Sequence, residues 1–305
     1  MPCGIIFLNK QSGITSFDAL RDIKRALGTG KVGHTGTLDK FARGLLIVLC
    51  GRALKLSRWF THCDKKYTGR IHFGIETDTL DPEGKEIASA PLPSREKAEN
   101  ALSQFTGSFM QEPPVFSAIH VNGKRASNLV RSGQIPEMKK RPVTIYKLEL
   151  IGWDPPFADI LVHCSGGTYI RSLARDIAKT AGSRGHLASL LRTEIAGFTL
   201  ETPGSEAESC KYGTENEKRN EQLAVFPVDK SVISRLGIPW FEATGQEAEA
   251  VSQGKPLDRI LDDKTFINPS YHTLYSTPHI AVFCRETLIA VIEKTDNKWK
   301  YGCVI

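Results

Sequence analysis

The chain lacks most of the signals that announce an enzyme class. None of its 7 cysteines forms a C-x-x-C pair; they stand alone at 3, 50, 63, 164, 210, 284 and 303. An odd number, scattered over 305 residues, excludes a disulfide framework and points to reduced thiols. Cys50 and Cys164 lie in apolar runs and read as small core residues. The 8 histidines show neither H-x-x-x-H nor H-E-x-x-H spacing, so no metal site is expected. No segment reaches the ~18 apolar residues of a membrane helix. The opening apolar run ends at Asn9-Lys10, too short for a secretory leader. A cytoplasmic protein with no membrane partner is expected. The phosphate-loop pattern G-x-x-x-x-G-K-[ST] is missing. Gly28–Gly33 does spell G-x-G-x-x-G, but a helix precedes it where a strand is required, which argues against a dinucleotide site. Internal repeats are absent too.

Positive charge is present, and it is uneven. Net charge is +6, and apolar content of 40% is ample for a core. Residues 21–70 carry 12 Lys+Arg and 3 acids, and residues 124–147 carry 7 and 1. Residues 171–192 add a third basic stretch, whereas 76–100 and 201–221 are acid-rich. A basic stripe interrupted by acidic stretches fits a nucleic-acid footprint.

The pattern of apolar residues predicts α+β architecture. Gly4–Asn9, Leu45–Leu49, Val143–Ile151 and Asp159–Cys164 read as strands. Tyr67-Thr-Gly-Arg-Ile-His-Phe73 alternates, which turns Tyr67, Ile71 and Phe73 to one inner face. Thr15 or Ser16 can cap a helix carrying Phe17, Leu20, Ile23 and Leu27 on one face. Thr168 can cap another, with Arg171 in its first turn and Ile170, Leu173, Ala174 and Ile177 inward. Residues 186–191 read as helical. Helices and strands mingle without βαβ alternation. The polar 203–222 stretch reads as an insert or linker, and short strands after 238 predict a small β-rich C-terminal domain. The expected division is 1–235 and 236–305.

One loop stands out within the basic stretch: Lys31-Val-Gly-His-Thr-Gly-Thr-Leu-Asp39, followed by Ala42-x-Gly-Leu-Leu46. A lone carboxylate among cations is held ionised and meets any polyanion drawn to them. On residue type alone Asp39 could equally be a turn aspartate. The loop, however, resembles the signature of the TruB-type tRNA pseudouridine synthases. So do Asn9-Lys-x-x-Gly-x-Thr-Ser16, Asp64-Lys-Lys-Tyr67, Gly167-Thr-Tyr-Ile-Arg171 and Gly185-His-Leu-x-x-Leu190 with Arg192-Thr193, in the same order. The resemblance covers about residues 4–200 and weakens after 223.

That resemblance implies a pseudouridine synthase fold, with a mixed, mainly antiparallel central sheet flanked by helices and a terminal domain similar to the RNA-binding PUA module. It implies isomerisation of uridine 55 in the tRNA T loop, without metal or cofactor, with the tRNA T stem-loop as partner; no protein partner is evident. It makes Asp39 the covalent catalyst, attacking either sugar or base. It makes Arg171 its ion-pair partner and Tyr67 the ring under the base. Tyr169 and Leu190 would line the same pocket, Lys10 would bind substrate, and His34 would take the place of the flipped base. The chain departs from the family pattern at Gln11, Lys40, His120, Ser127, Leu191 and Glu194. A non-catalytic tRNA binder is the rival reading; it has no need of an acid in a basic pocket.

Overall fold

A computed structural model describes residues 2–201, 223–261, 278–296 and 298–305. The expected 203–222 insert lies outside them. Four strands open the chain: β1 (Gly4–Lys10), β2 (Val32–His34), β3 (Arg43–Cys50) and β4 (Lys65–Phe73). Then come β5 (Ile75–Thr77), β6 (Glu86–Ser89), β7 (Gly107–Gln111), β8 (His120–Val121) and β9 (Lys124–Arg125). Long strands β10 (Arg141–Asp154), β11 (Phe157–Cys164) and β12 (Gly185–Ile195) follow, with the short β13 (Phe198–Thr199). The helices of this part are α1 (Ser16–Ala26), α2 (Ser57–Thr61), α3 (Arg95–Ser103), α4 (Ala126–Arg131) and α5 (Ile170–Thr180).

Nine of these strands build one sheet in the order β1-β3-β12-β4-β11-β10-β7, with β2 also on β3 and β13 on β12, while β5–β6 and β8–β9 form separate two-stranded pairs. Only the β12–β3 ladder is parallel. The expected mixed, mainly antiparallel sheet is therefore what forms. β3 lies next to the edge strand β1 with both faces buried, as its unbroken Leu45–Cys50 apolar run requires. One face of the sheet carries α3 and α5, whose Leu102, Leu173 and Ile177 join Tyr67, Ile71 and Phe73 in one core.

β3 has one edge occupied by β1 along its whole length. Its other edge is shared. β12 pairs with Arg43 and Gly44, and β2 pairs with residues 48–50. The sheet splits between them, and the Asp39 loop issues from that split. Arg192 fills it: Nε donates to Leu45 O at 2.8 Å and Nη2 to Gly36 O at 3.0 Å. Carbonyls that would otherwise lose their ladder are thereby satisfied.

Three local expectations are corrected. Residues 186–191 belong to strand β12. Register shifts at Leu187/Ser189 and Arg192/Glu194 break its alternation, leaving apolar spacings that mimic a helix. Phe17 is 68% exposed, because Ser16, Leu20 and Ile23 form the inward stripe of α1 and leave Phe17 to one side. Thr15 does cap α1, accepting from the Asp18 N–H. Thr168 does not cap α5; its hydroxyl donates to Ser165 O, and Tyr169 is the capping residue.

The C-terminal region supplies α6 (Lys230–Arg235), β14 (Trp240–Glu242), α7 (Gly245–Ser252), α8 (Asp258–Leu261), β15 (His279–Cys284), β16 (Thr287–Thr295) and β17 (Lys298–Val304). Its strands form a second sheet, β14-β15-β16-β17. That sheet packs on the first: Phe283, Leu288 and Val291 share a core with Ile5, Ile47 and Trp59. No helix among the described residues is long and apolar enough to cross a membrane.

Gly44 sits at the split with φ +107°, and a Cβ there would lie 2.3 Å from Arg192 O. Gly44→Ala combines strain with a backbone clash that cannot relax without parting β3 from β12. A loss of about 3 kcal/mol is expected, read as a lower midpoint in thermal or urea unfolding.

Candidate active site

The Asp39 loop is braced on both sides by the segment before α1. Ser16 Oγ donates to Leu38 O at 2.9 Å and accepts from Leu38 N at 2.8 Å. Lys40 O accepts from Gly13 N at 2.8 Å, and Phe41 O accepts from Ser12 Oγ at 2.7 Å. Ala42 N closes a turn on Asp39 O at 3.1 Å. Every neighbour of Asp39 is thus tied down, and its carboxylate has one direction left to face.

It faces Arg171. Nη2 donates to Asp39 Oδ1 at 3.1 Å, and Nε lies 3.0 Å from Oδ2. The same guanidinium donates through Nη1 to Thr79 O at 2.8 Å and Asp81 Oδ2 at 3.2 Å, and through Nη2 to Phe116 O at 3.0 Å. Arg171 lies in the first turn of α5, at the positive end of the helix, where a cation is disfavoured. Two carboxylates and two carbonyls offset that cost. The planar fork meets them all at once, which an ammonium could not.

Gln111 sets the start of α5. Its Oε1 accepts from Tyr169 N at 2.9 Å and its Nε2 donates to Tyr169 O at 3.1 Å. The Tyr169 ring is thereby aimed into the cavity. Tyr67 enters from β4, cross-strand from Arg192. Burial drives its phenol up to about 12, with the Arg192 guanidinium opposing. At neutral pH Tyr67 is a neutral hydroxyl that can donate a proton or a hydrogen bond.

A cavity of about 380 Å³ gathers Asp39, Tyr67, Tyr169, Arg171 and Leu190, five of the seven residues singled out in the sequence. The Asp39 side chain is 36% exposed and lines this concavity. Burial pushes its carboxyl above the ordinary aspartate range, while Arg171 pulls against that shift.

Lys10 and His34 are not among the cavity-lining residues. Lys10 is buried, its ammonium donating to Gln11 O, Ile14 O and Lys40 O. It braces the Asp39 loop from beneath. Burial lowers its pKa to about 8, with Asp39 opposing. His34 ends β2 with Nδ1 buried and unpartnered, and burial lowers its pKa.

The structure adds Asp81, Lys65 and Arg192. Asp81 comes from the 76–100 stretch, which reads only as acid-rich. Lys65 lines the cavity and donates to Thr61 O and Cys63 O; burial lowers it to about 8. Its place beside Tyr67 in the Asp64–Tyr67 stretch was the available signal, as Arg192-Thr193 was for Arg192. Three buried cations, Lys10, Lys65 and Arg192, are thus spent on backbone carbonyls. Their charge stays uncancelled by carboxylates in hydrogen-bond contact, and the site suits an anionic ligand. No group of three His, Cys, Asp or Glu residues placed to hold a metal occurs among the described residues.

Two outcomes follow for stability. Removing Asp81 takes away one of the two carboxylates on the buried Arg171 guanidinium and leaves Nη1 short of an acceptor, so Asp81→Ala should cost about 2 kcal/mol in urea unfolding. Asp39 behaves oppositely. An acid whose folded pKa is raised favours folding below its unfolded pKa, and that advantage is lost as pH rises through the folded value. Asp39→Asn should therefore be at least as stable as the parent at neutral pH. The gap should close below about pH 4, where both side chains are neutral. Melting curves across pH test this.

The comparisons with known proteins agree with this geometry. The family model for the TruB family pseudouridylate synthase (N terminal domain) matches residues 24–170. The tRNA pseudouridine synthase B of Treponema pallidum (strain Nichols) is 41% identical, with 100% of this chain and 98% of that protein covered. The tRNA pseudouridine synthase B of Borreliella burgdorferi (strain ZS7) is 42% identical over 203 residues, covering 66% of this chain and 72% of its own. Among solved structures, a Cbf5-Nop10-Gar1 complex matches with TM-score 0.67 at 20% identity, covering 99% of this chain and 82% of that one. The archaeal box H/ACA sRNP Nop10-Cbf5 complex matches with TM-score 0.67 at 21% identity, covering 99% and 85%. At that identity the structural likeness speaks for the fold alone, which is the pseudouridine synthase fold. Likeness in sequence from end to end decides the rest: the chain belongs to the TruB family of pseudouridine synthases.

Proposed function

We propose that this chain is a tRNA pseudouridine synthase that isomerises uridine 55 of the T loop, with Asp39 as nucleophile. The observation that carries the reading is the open carboxylate of Asp39, gripped by Arg171 beside the ring of Tyr67 in one cavity. The reaction breaks the N–C glycosidic bond, turns the uracil and forms a C–C bond, with no net change in atoms and no need of a metal or cofactor. Asp39 attacks sugar or base and is released at the end. Arg171 fixes the carboxylate's direction and favours its ionised form. Tyr67 stacks under the uracil and offers a neutral hydroxyl to a proton in transit. Tyr169 and Leu190 close the pocket around the base.

A uridine inside a folded T loop must leave its stack to reach Asp39, at a cost of a few kcal/mol. His34, at the end of β2 with an unpartnered Nδ1, fits the role of filling the vacated place. Lys10 acts at one remove, by holding Lys40 O. We assign residues 1–235 to the catalytic domain and 236–305 to a PUA-like domain that binds the tRNA, in the cytoplasm.

The test is to incubate the full chain with an unmodified tRNA transcript and map pseudouridine. Conversion is expected at one T-loop uridine. Asp39→Asn should bind the transcript and make none; turnover by this variant sinks the assignment. Because burial raises the Asp39 pKa, activity should fall on acidification at a pH above that of an ordinary aspartate. Tyr67→Phe keeps the ring and Tyr67→Leu loses it. Severe slowing in Phe with normal binding assigns the hydroxyl to proton transfer, whereas parental rates in Phe leave stacking as the role.

A further inference from the structure

Lys40 directly follows the nucleophile, yet its side chain takes no part in shaping the loop. The backbone at 40 is held through its carbonyl, by Gly13 N and Lys10 Nζ. The ammonium leaves the site and reaches Glu83 Oε1 at 3.3 Å, with the two side chains 52% and 43% exposed. Glu83 belongs to the turn that carries Asp81, and its N–H donates to Asp81 Oδ1 at 3.0 Å. The pair therefore bridges the Asp39 loop and the Asp81 turn, the two segments whose carboxylates meet Arg171.

An exposed pair of this kind contributes about 0–1 kcal/mol, so a competing anion displaces either partner at little cost. The Cα of Lys40 lies one residue, about 3.8 Å, from that of Asp39. A nucleotide whose sugar or base touches Asp39 has its own phosphates one sugar away, inside the sweep of a lysine side chain. Glu83 is an acid beside a cavity whose other charges are mainly positive, and unpaired it would repel that phosphate.

We propose that Lys40 binds a backbone phosphate next to the target nucleotide, exchanging Glu83 for it when the RNA docks, so that Glu83 acts as a resting counter-charge that weakens unspecific polyanion binding. This rests on the proposed function, since it places a nucleotide at Asp39.

Lys40→Met and Glu83→Gln separate this exchange from a mere clasp, because the exchange predicts opposite signs. The full chain is assayed in single turnover on an unmodified tRNA transcript over a salt series. Lys40→Met should raise the half-saturating concentration about three- to tenfold and flatten the log–log salt slope by about one, with the maximal rate kept. Lys40→Arg should restore the slope. Glu83→Gln should lower the half-saturating concentration, by about twofold or more at low salt. If both variants lower the maximal rate together with an unchanged salt slope, the pair is a structural clasp and the proposal fails. It fails equally if both match the parent. A parent chain that makes no pseudouridine overturns the functional reading instead, so the two failures are distinguishable.

Discussion

A guanidinium in the first turn of a helix stands at the wrong end of the helix dipole. Arg171 occupies that place in α5 and is buried as well. It is tolerable only because the chain brings Asp39, Asp81, Thr79 O and Phe116 O to it from three separate segments. The constraint works in both directions. The cation needs its acceptors, and each acceptor segment is positioned by the cation. Losing the buried Asp81 leaves the guanidinium short of an acceptor that solvent does not replace, a costly local error. The cavity wall is in this sense one object assembled around one side chain.

The second principle of the site is the use of cations to hold backbone. Arg192 fills the gap where β12 gives way to β2, Lys10 braces the Asp39 loop, and Lys65 clasps the turn after α2. Carbonyl oxygens satisfy these groups as donors but do not neutralise them. A polyanionic ligand can therefore be attracted by charges that are already rigid and bound to the frame. The cost shows in the shifted titrations. Burial pushes Asp39 up and the lysines down, each shift marking the desolvation of a charged form. A carboxylate disfavoured by burial yet open to a cavity is a poor stabiliser and a good reactant.

Periodicity and local motifs made much of this readable beforehand. Alternation in Tyr67–Phe73 turned Tyr67 inward, the apolar Leu45–Leu49 run marked a buried strand, and the spacing after Thr168 placed Arg171 in the opening turn of a helix. The Gly/Thr-rich loop exposed Asp39 as the odd acid in a basic stretch. These are short-range facts, because a side chain's face is set by the few residues around it. Where the local period was disturbed, the reading failed: two bulges in β12 imitated a helix, and an inward Ser16 displaced Phe17 to solvent.

What the sequence determined alone was the inventory, namely which side chains exist, which face they share, and that one acid lies among cations. Which cation meets which acceptor was decided by tertiary structure. Asp81 looked like any turn acid until Arg171 closed on it from 90 residues away. Lys10 had no visible tie to the backbone until the fold turned its ammonium onto three carbonyls of its own chain. The reason is physical. Buried ion pairs and carbonyl contacts depend on the meeting of segments far apart in the chain, and no periodicity in one segment records the position of another.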